Sequence, residues 1–156
     1  PGSRNTGWGV VNETSGVLRL VECGVIRPSP GDPFATRLAC IFRELHAILV
    51  RLKPHEAAVA QVFTARNAAT ALKLGQARGV AVAACAARDL PVSDYEPSVI
   101  KKALVGVGAA DKEQVSFMVG RMLGVRPDWA LDTGDALAAA ICHINTQRFA
   151  RRAGLA

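Results

Sequence analysis

Asp132 and Asp135 stand three residues apart at the start of an Ala-rich stretch, so a helix beginning there carries both carboxylates on one face. Two kinds of chemistry suit such a pair. Acidic side chains in a first turn cap free amides and complement the positive end of the helix dipole. The same carboxylates are also the oxygen ligands that hard divalent cations take, and in phosphodiester cleavage carboxylates hold Mg2+ together with phosphate oxygens. Two carboxylates alone fall short of the several oxygens such a cation needs.

A second cluster lies upstream, in Lys101-Lys102-Ala103-Leu104-Val105-Gly106-Val107-Gly108-Ala109-Ala110-Asp111-Lys112. Its glycines let backbone amides approach phosphates, and Lys101, Lys102 and Lys112 neutralise charge. A solvated surface accounts for the same lysines. Arg4, Arg66, Lys73 and Arg78 would extend the basic track. The chain has 156 residues and a formal charge of +6, a balance that favours polyanionic partners and nucleic acid first. Cys23, Cys40, Cys85 and Cys142 share no short spacing and read as reduced core residues, neither a disulfide frame nor a zinc site. His46, His55 and His143 show no ligand spacing. No apolar run approaches the length of a membrane span, and there is no signal peptide.

The elements that must position these groups are legible in outline, and the length suits one α/β domain over residues 1–156. Thr6 to Asn12 and Val17 to Arg27, punctuated by Thr14-Ser15-Gly16, predict a hairpin. Asp32-Pro33 supplies an N-cap and an N1 proline for a helix, which Leu38, Ile41, Phe42, Leu45, Ile48, Leu49 and Leu52 mark as amphipathic and which ends before Pro54. Ala57 to Phe63 suits a strand buried on both faces. A helix rich in Ala and Gly runs from about Ala69 to Arg88, and Pro91 to Tyr95 is a further strand. Pro97 opens a short helix broken by Gly106-Val107-Gly108, Asp111 to Leu123 is helical, and Asp132 to Arg148 is the last helix. Strands alternating with helices imply a mixed sheet flanked by helices.

Three stretches carry a resemblance. Pro1-Gly2-Ser3-Arg4-Asn5-Thr6-Gly7-Trp8-Gly9, then Gln61-Val62-Phe63 running on to Ala71-Leu72-Lys73-Leu74-Gly75-Gln76-Ala77-Arg78-Gly79, then Asp132-Thr133-Gly134-Asp135-Ala136-Leu137-Ala138 resemble the RuvC family of Holliday junction resolvases from end to end. The resemblance implies a ribonuclease-H-like fold whose first central strand is missing or truncated before Pro1. It implies a cytoplasmic homodimer that binds four-way junction DNA, makes symmetric nicks with Mg2+ or Mn2+, and works with the RuvA and RuvB branch-migration machinery. Asp132 and Asp135 match the family's last two metal ligands. Lys101 and Lys112 match lysines near the scissile phosphate, and Phe63 matches a ring that stacks on an unpaired base. Asn67 to Lys73 matches the adjoining DNA-facing loop, and part of the Ala/Gly-rich helix face would serve dimerisation.

The chain departs from the pattern at two ligands. Ala60 stands where the family carries a Glu, and the family's first-strand Asp falls just before Pro1. The start inside a motif points to a trimmed N-terminus. An inactivating substitution and a degenerate paralogue would both give Ala60. The chain as written is therefore expected to bind junctions without cutting them. Residual slow cleavage through Asp132 and Asp135 is one alternative. A nucleotide-binding domain of actin or sugar-kinase type, for which Pro1-Gly2 to Gly9 would be the phosphate loop, is another.

Overall fold

The computed structural model describes residues 1–61 and 67–155. Its elements, in chain order, are β1 (Thr6–Thr14), β2 (Val17–Ile26), α1 (Phe34–Leu52), β3 (Ala57–Ala60), α2 (Ala68–Ala86), β4 (Val92–Tyr95), α3 (Pro97–Val105), α4 (Lys112–Leu123) and α5 (Leu131–Arg152). Every expected helix and strand is present among the described residues, but the expected loop from Asn67 to Lys73 is instead the N-cap and first turns of α2, because Asn67 caps the helix there. Val62 and Phe63, expected to continue β3, lie outside them.

Ser15 and Gly16 both take positive φ, 53° and 87°, which is the two-residue turn whose twist matches an antiparallel hairpin. α1 differs at its start from the sequence expectation: Pro33 is the N-cap, with no side-chain cap, and the helix begins at Phe34. Asp32 thus caps nothing here. The helix stops where Lys53 turns left-handed before Pro54, its N–H returning to the Leu49 carbonyl.

The strands form two separate pairs rather than one continuous mixed sheet. β1 pairs with β2 antiparallel, and β3 pairs with β4 parallel, Ala60 opposite Tyr95. Residues along β1, from Thr6 to Glu13, and all of β3 with Gln61 after it line one cavity of about 1070 Å³. Helices cover it on both sides, α5 with Ala138 and Ala139, and α1 with Leu45 and Ile48.

α5 ties the pairs together, packing chiefly along β1 and also on β3. Two glycines on one face of β1 make this possible. A methyl group on Gly7 would overlap the main-chain carbonyl of Asp132, and one on Gly9 would overlap the Leu137 side chain. Thr133, 1% exposed, donates its hydroxyl to the Gly24 carbonyl at 3.0 Å and pins the same turn to β2. Farther along α5, buried His143 joins Tyr95 on β4 (Nδ1 to hydroxyl, 2.8 Å) to Glu56 (Nε2 to Oε2, 2.5 Å). The main core, with Leu137, Ile141, Val119 and Val115 fully or nearly buried, lies between α5, α4 and α3.

The cysteine expectation holds in part. All four are free, Cys85 and Cys142 are buried, and Cys23 and Cys40 are only half-buried. Burial pushes the thiols of Cys23, Cys85 and Cys142 up, so they stay protonated.

Gly7→Ala is expected to lower stability by about 1–3 kcal/mol, because the added carbon meets backbone that cannot rotate away. Gly75→Ala on α2, where nothing lies within 4 Å, should instead raise it by about 1 kcal/mol through helix propensity. Urea denaturation of both variants checks the pair; equal effects would remove the close approach as the reason for Gly7.

Candidate active site

The first turn of α5 begins after Ala130, the N-cap, which has no side-chain cap bond. Asp132 and Asp135 are therefore not spent on capping. Both side chains are 41% exposed, at the positive end of the helix dipole, and both reach Lys112. The Lys112 ammonium donates to Oδ2 of Asp135 at 2.6 Å and lies 3.8 Å from Oδ1 of Asp132.

Lys112 is held in place by local sequence. Asp111 and Gln114 form a reciprocal capping box, with Asp111 Oδ1 accepting from the Gln114 N–H at 2.7 Å and Gln114 Oε1 accepting from the Asp111 N–H at 3.0 Å. This makes Lys112 the first residue of α4. α4 is locked against α5 by the Trp129 indole, which donates to the Ser116 hydroxyl at 3.0 Å, and by Gly134, whose missing side chain leaves room for both groups. Burial alone would lower the Lys112 pKa, but the hydrogen bond to Asp135 and the charges of Asp135 and Asp132 outweigh it and hold the pKa above the ordinary lysine value.

Asp132, Asp135, Lys101, Lys112, Ala60 and Pro1 all line the large cavity. Pro1 is half-buried there.

Other expected contact residues are less simply placed. Lys102, Lys73 and Arg4 are exposed and lie away from the cavity lining. Asn67 caps α2, its side-chain oxygen accepting from the Thr70 N–H at 2.9 Å, so that oxygen is committed to the helix. Arg78 is ion-paired with Asp94. It is thus partly neutralised rather than a plain member of a basic track. Phe63 and Arg66 lie outside the described residues.

The sequence reading passed over the Glu56–His143–Tyr95 chain. Its one available signal was a histidine eleven residues after Asp132, three helical turns along the same face of an Ala-rich helix. Gly7 and Gly9 are used for the approach of α5 to β1, which gives the glycine-rich opening a packing role in place of the phosphate-loop reading.

The donor set does not fit a tightly held Mg2+. Ala60 has no oxygen to offer, and the two carboxylates already share an ammonium. Among the described residues no three His, Cys, Asp or Glu side chains are grouped to hold one metal ion.

Comparison with known proteins accords with this geometry. The family model described as crossover junction endodeoxyribonuclease RuvC matches residues 1–143. The crossover junction endodeoxyribonuclease RuvC of Nitratidesulfovibrio vulgaris (strain Hildenborough) is 67% identical over 156 residues, 100% of this chain and 93% of its own. That of Lawsonia intracellularis is 65% identical over 152 residues, covering 97% and 90%. Among solved structures, T. thermophilus RuvC in complex with a Holliday junction substrate superposes with a TM-score of 0.88 at 34% identity, covering 96% of this chain and 92% of that one. The Thermus thermophilus RuvC structure gives 0.82 at 31% identity, with the same coverage. The fold is ribonuclease-H-like, and the chain belongs to the RuvC family of crossover junction endodeoxyribonucleases.

Proposed function

We propose that this chain binds four-way DNA junctions as a homodimer and, as written, does not cut them. The observation that carries the reading is the cavity lined by Asp132, Asp135, Lys101 and Lys112, to which β3 offers only Ala60 at the expected ligand position. Its relative from T. thermophilus was solved on a Holliday junction substrate, and the charge of +6 suits a phosphate-rich partner. Lys101, Lys102, Lys73 and Arg4 supply the positive surface, with Arg66 as a further member of the basic track and Lys112 and Phe63 as contacts carried over from the family pattern. Within that pattern the setting is the cytoplasm, with RuvA and RuvB as partners. Among the described residues no helix is long and apolar enough to cross a membrane.

Cutting needs oxygens that residues 1–156 do not bring together. In the family the Mg2+ or Mn2+ ions activate water and stabilise the leaving oxygen. Asp132 and Asp135 would be their ligands here, with the Ala60 position and the residue before Pro1 as the other two. Losing such a ligand costs several kcal/mol of transition-state stabilisation, a rate loss of roughly a thousandfold or more. An apolar strand ahead of Pro1 would lie between β1 and β3, and its last residue would meet Asp132 and Asp135.

A polypeptide of residues 1–156 should shift a labelled four-way junction in a gel against excess linear duplex, more weakly as salt rises. In millimolar Mg2+ or Mn2+ it should leave the junction intact. Ala60→Glu alone should not start nicking. Ala60→Glu together with an apolar strand ending in Asp ahead of Pro1 should give paired symmetric nicks. Equal affinity for junction and duplex would end the junction claim, and family-like nicking by the unaltered polypeptide would show that Ala60 is not at a ligand position.

On this reading the dimer would form through α2. Leu72 is 68% exposed, and Leu72, Gln76, Gly79, Ala83 and Ala86 form one exposed stripe at helical spacing. Gly75 and Gly79 have open space around them, so the monomer's own packing does not require glycine there. Small residues let a second helix approach closely. Leu72→Glu and Gly79→Leu should each shift the mass measured by light scattering from dimer toward monomer while the far-ultraviolet circular dichroism of the folded chain stays unchanged. An unchanged dimer in both variants would put the interface elsewhere.

A further inference from the structure

The atoms that a cation would need are already engaged. Lys112 Nζ sits 2.6 Å from Asp135 Oδ2 and 3.8 Å from Asp132 Oδ1, and its side chain is only half exposed. The two halves of this contact are set by different elements. The capping box at Asp111 and Gln114 starts α4 at Lys112, and the Trp129–Ser116 hydrogen bond with Gly134 seats α5 against α4. The ammonium is therefore delivered to the aspartate pair by the packing of two helices rather than found there by chance rotation.

The geometry points to Lys112 as the resident counter-ion of Asp132 and Asp135, one that holds a divalent cation off this pair in the protein without DNA. The reasons are chemical. A lysine ammonium is a compact point charge with three donors, and carboxylate oxygens that accept from it are the same ones a hard cation must take. A divalent ion placed on the pair would also lie within a few ångströms of a positive charge. Binding then requires Lys112 to swing away, which its exposure permits, so the lysine competes with the cation without blocking it outright. Ala60 strengthens the effect, because no third carboxylate is present to retain a metal while the lysine moves. The inference concerns the protein alone and does not depend on the DNA reading.

Titration with Mn2+, following the free ion by electron paramagnetic resonance, tests it on the 156-residue protein. Lys112→Met and Lys112→Gln should each raise Mn2+ affinity about tenfold, from removal of one positive charge at contact distance. Lys112→Arg should stay near the parent, and adding Asp135→Asn to Lys112→Met should abolish the gain. Lys101→Met separates occupancy from general charge, since Lys101 lines the same cavity without a hydrogen bond or ion pair to the aspartates among the described residues. It should give less than a third of the gain. Unchanged or weaker Mn2+ binding in both neutral Lys112 variants, an equal gain from Lys101→Met, or a gain that survives Asp135→Asn would each overturn the assignment.

Discussion

The seating of α5 directly on β1 is the contact on which the rest of the molecule depends. It works only because Gly7 offers no side chain to the Asp132 main chain and Gly9 none to Leu137. Backbone-to-backbone approach of this kind removes a layer of side chains and sets the height of the helix over the strand within a fraction of an ångström. Thr133 then fixes its rotation through the Gly24 carbonyl. Asp132 lies between these two anchors and Asp135 one turn on, so the carboxylates inherit their position from β1 and β2 rather than from any cap of their own. The far end of the helix is tied by His143 to Tyr95 and Glu56, which sets α5 against the other strand pair. A single helix thereby bridges two sheets that share no hydrogen bond among the described strands.

The electrostatics follow from that placement. Two carboxylates on one turn repel each other, and the helix dipole offsets only part of that cost. Lys112 supplies the remainder from a neighbouring helix, and the mutual attraction holds its pKa up despite burial. The pair is about two-fifths exposed, so its worth to overall stability is small after solvent screening. Its consequence is local order: an acidic pair that would otherwise point into solvent is aimed at the cavity shared with Ala60 and Pro1.

Much of this was readable from residues because local rules and tertiary needs agree. The Ser15-Gly16 turn, the Lys53-Pro54 stop and the helix start at Asp111 are local chemistry, and each falls where the sequence places it. The three quoted stretches carried the family and its fold. What was illegible depended on partners distant in sequence. Asn67 to Lys73 reads as a DNA-facing loop and is the cap and first turns of a helix, a distinction settled only by where α2 begins. Arg78 reads as one more positive charge, and Asp94 that partners it lies on a different element. His143 has no motif at all, since Tyr95 and Glu56 reach it from β4 and from the start of β3. The opening glycines fit a phosphate loop as well as a close helix approach until the chain that covers them is known.

Binding and cutting separate cleanly in such a site because they make different demands. Affinity for a polyanion sums over many lysines and arginines, tolerates ångström-scale displacement, and survives the loss of any one contact. Cleavage needs oxygen donors converging on one point, and each absent donor removes a large part of the transition-state stabilisation. Carboxylates without their metal work against binding, because they repel the phosphate they are meant to cut. Ala60 carries no charge to add to that repulsion, and Lys112 screens Asp132 and Asp135. On the proposed reading, a centre short of metal ligands would for the same reason be better suited to hold an uncut phosphate.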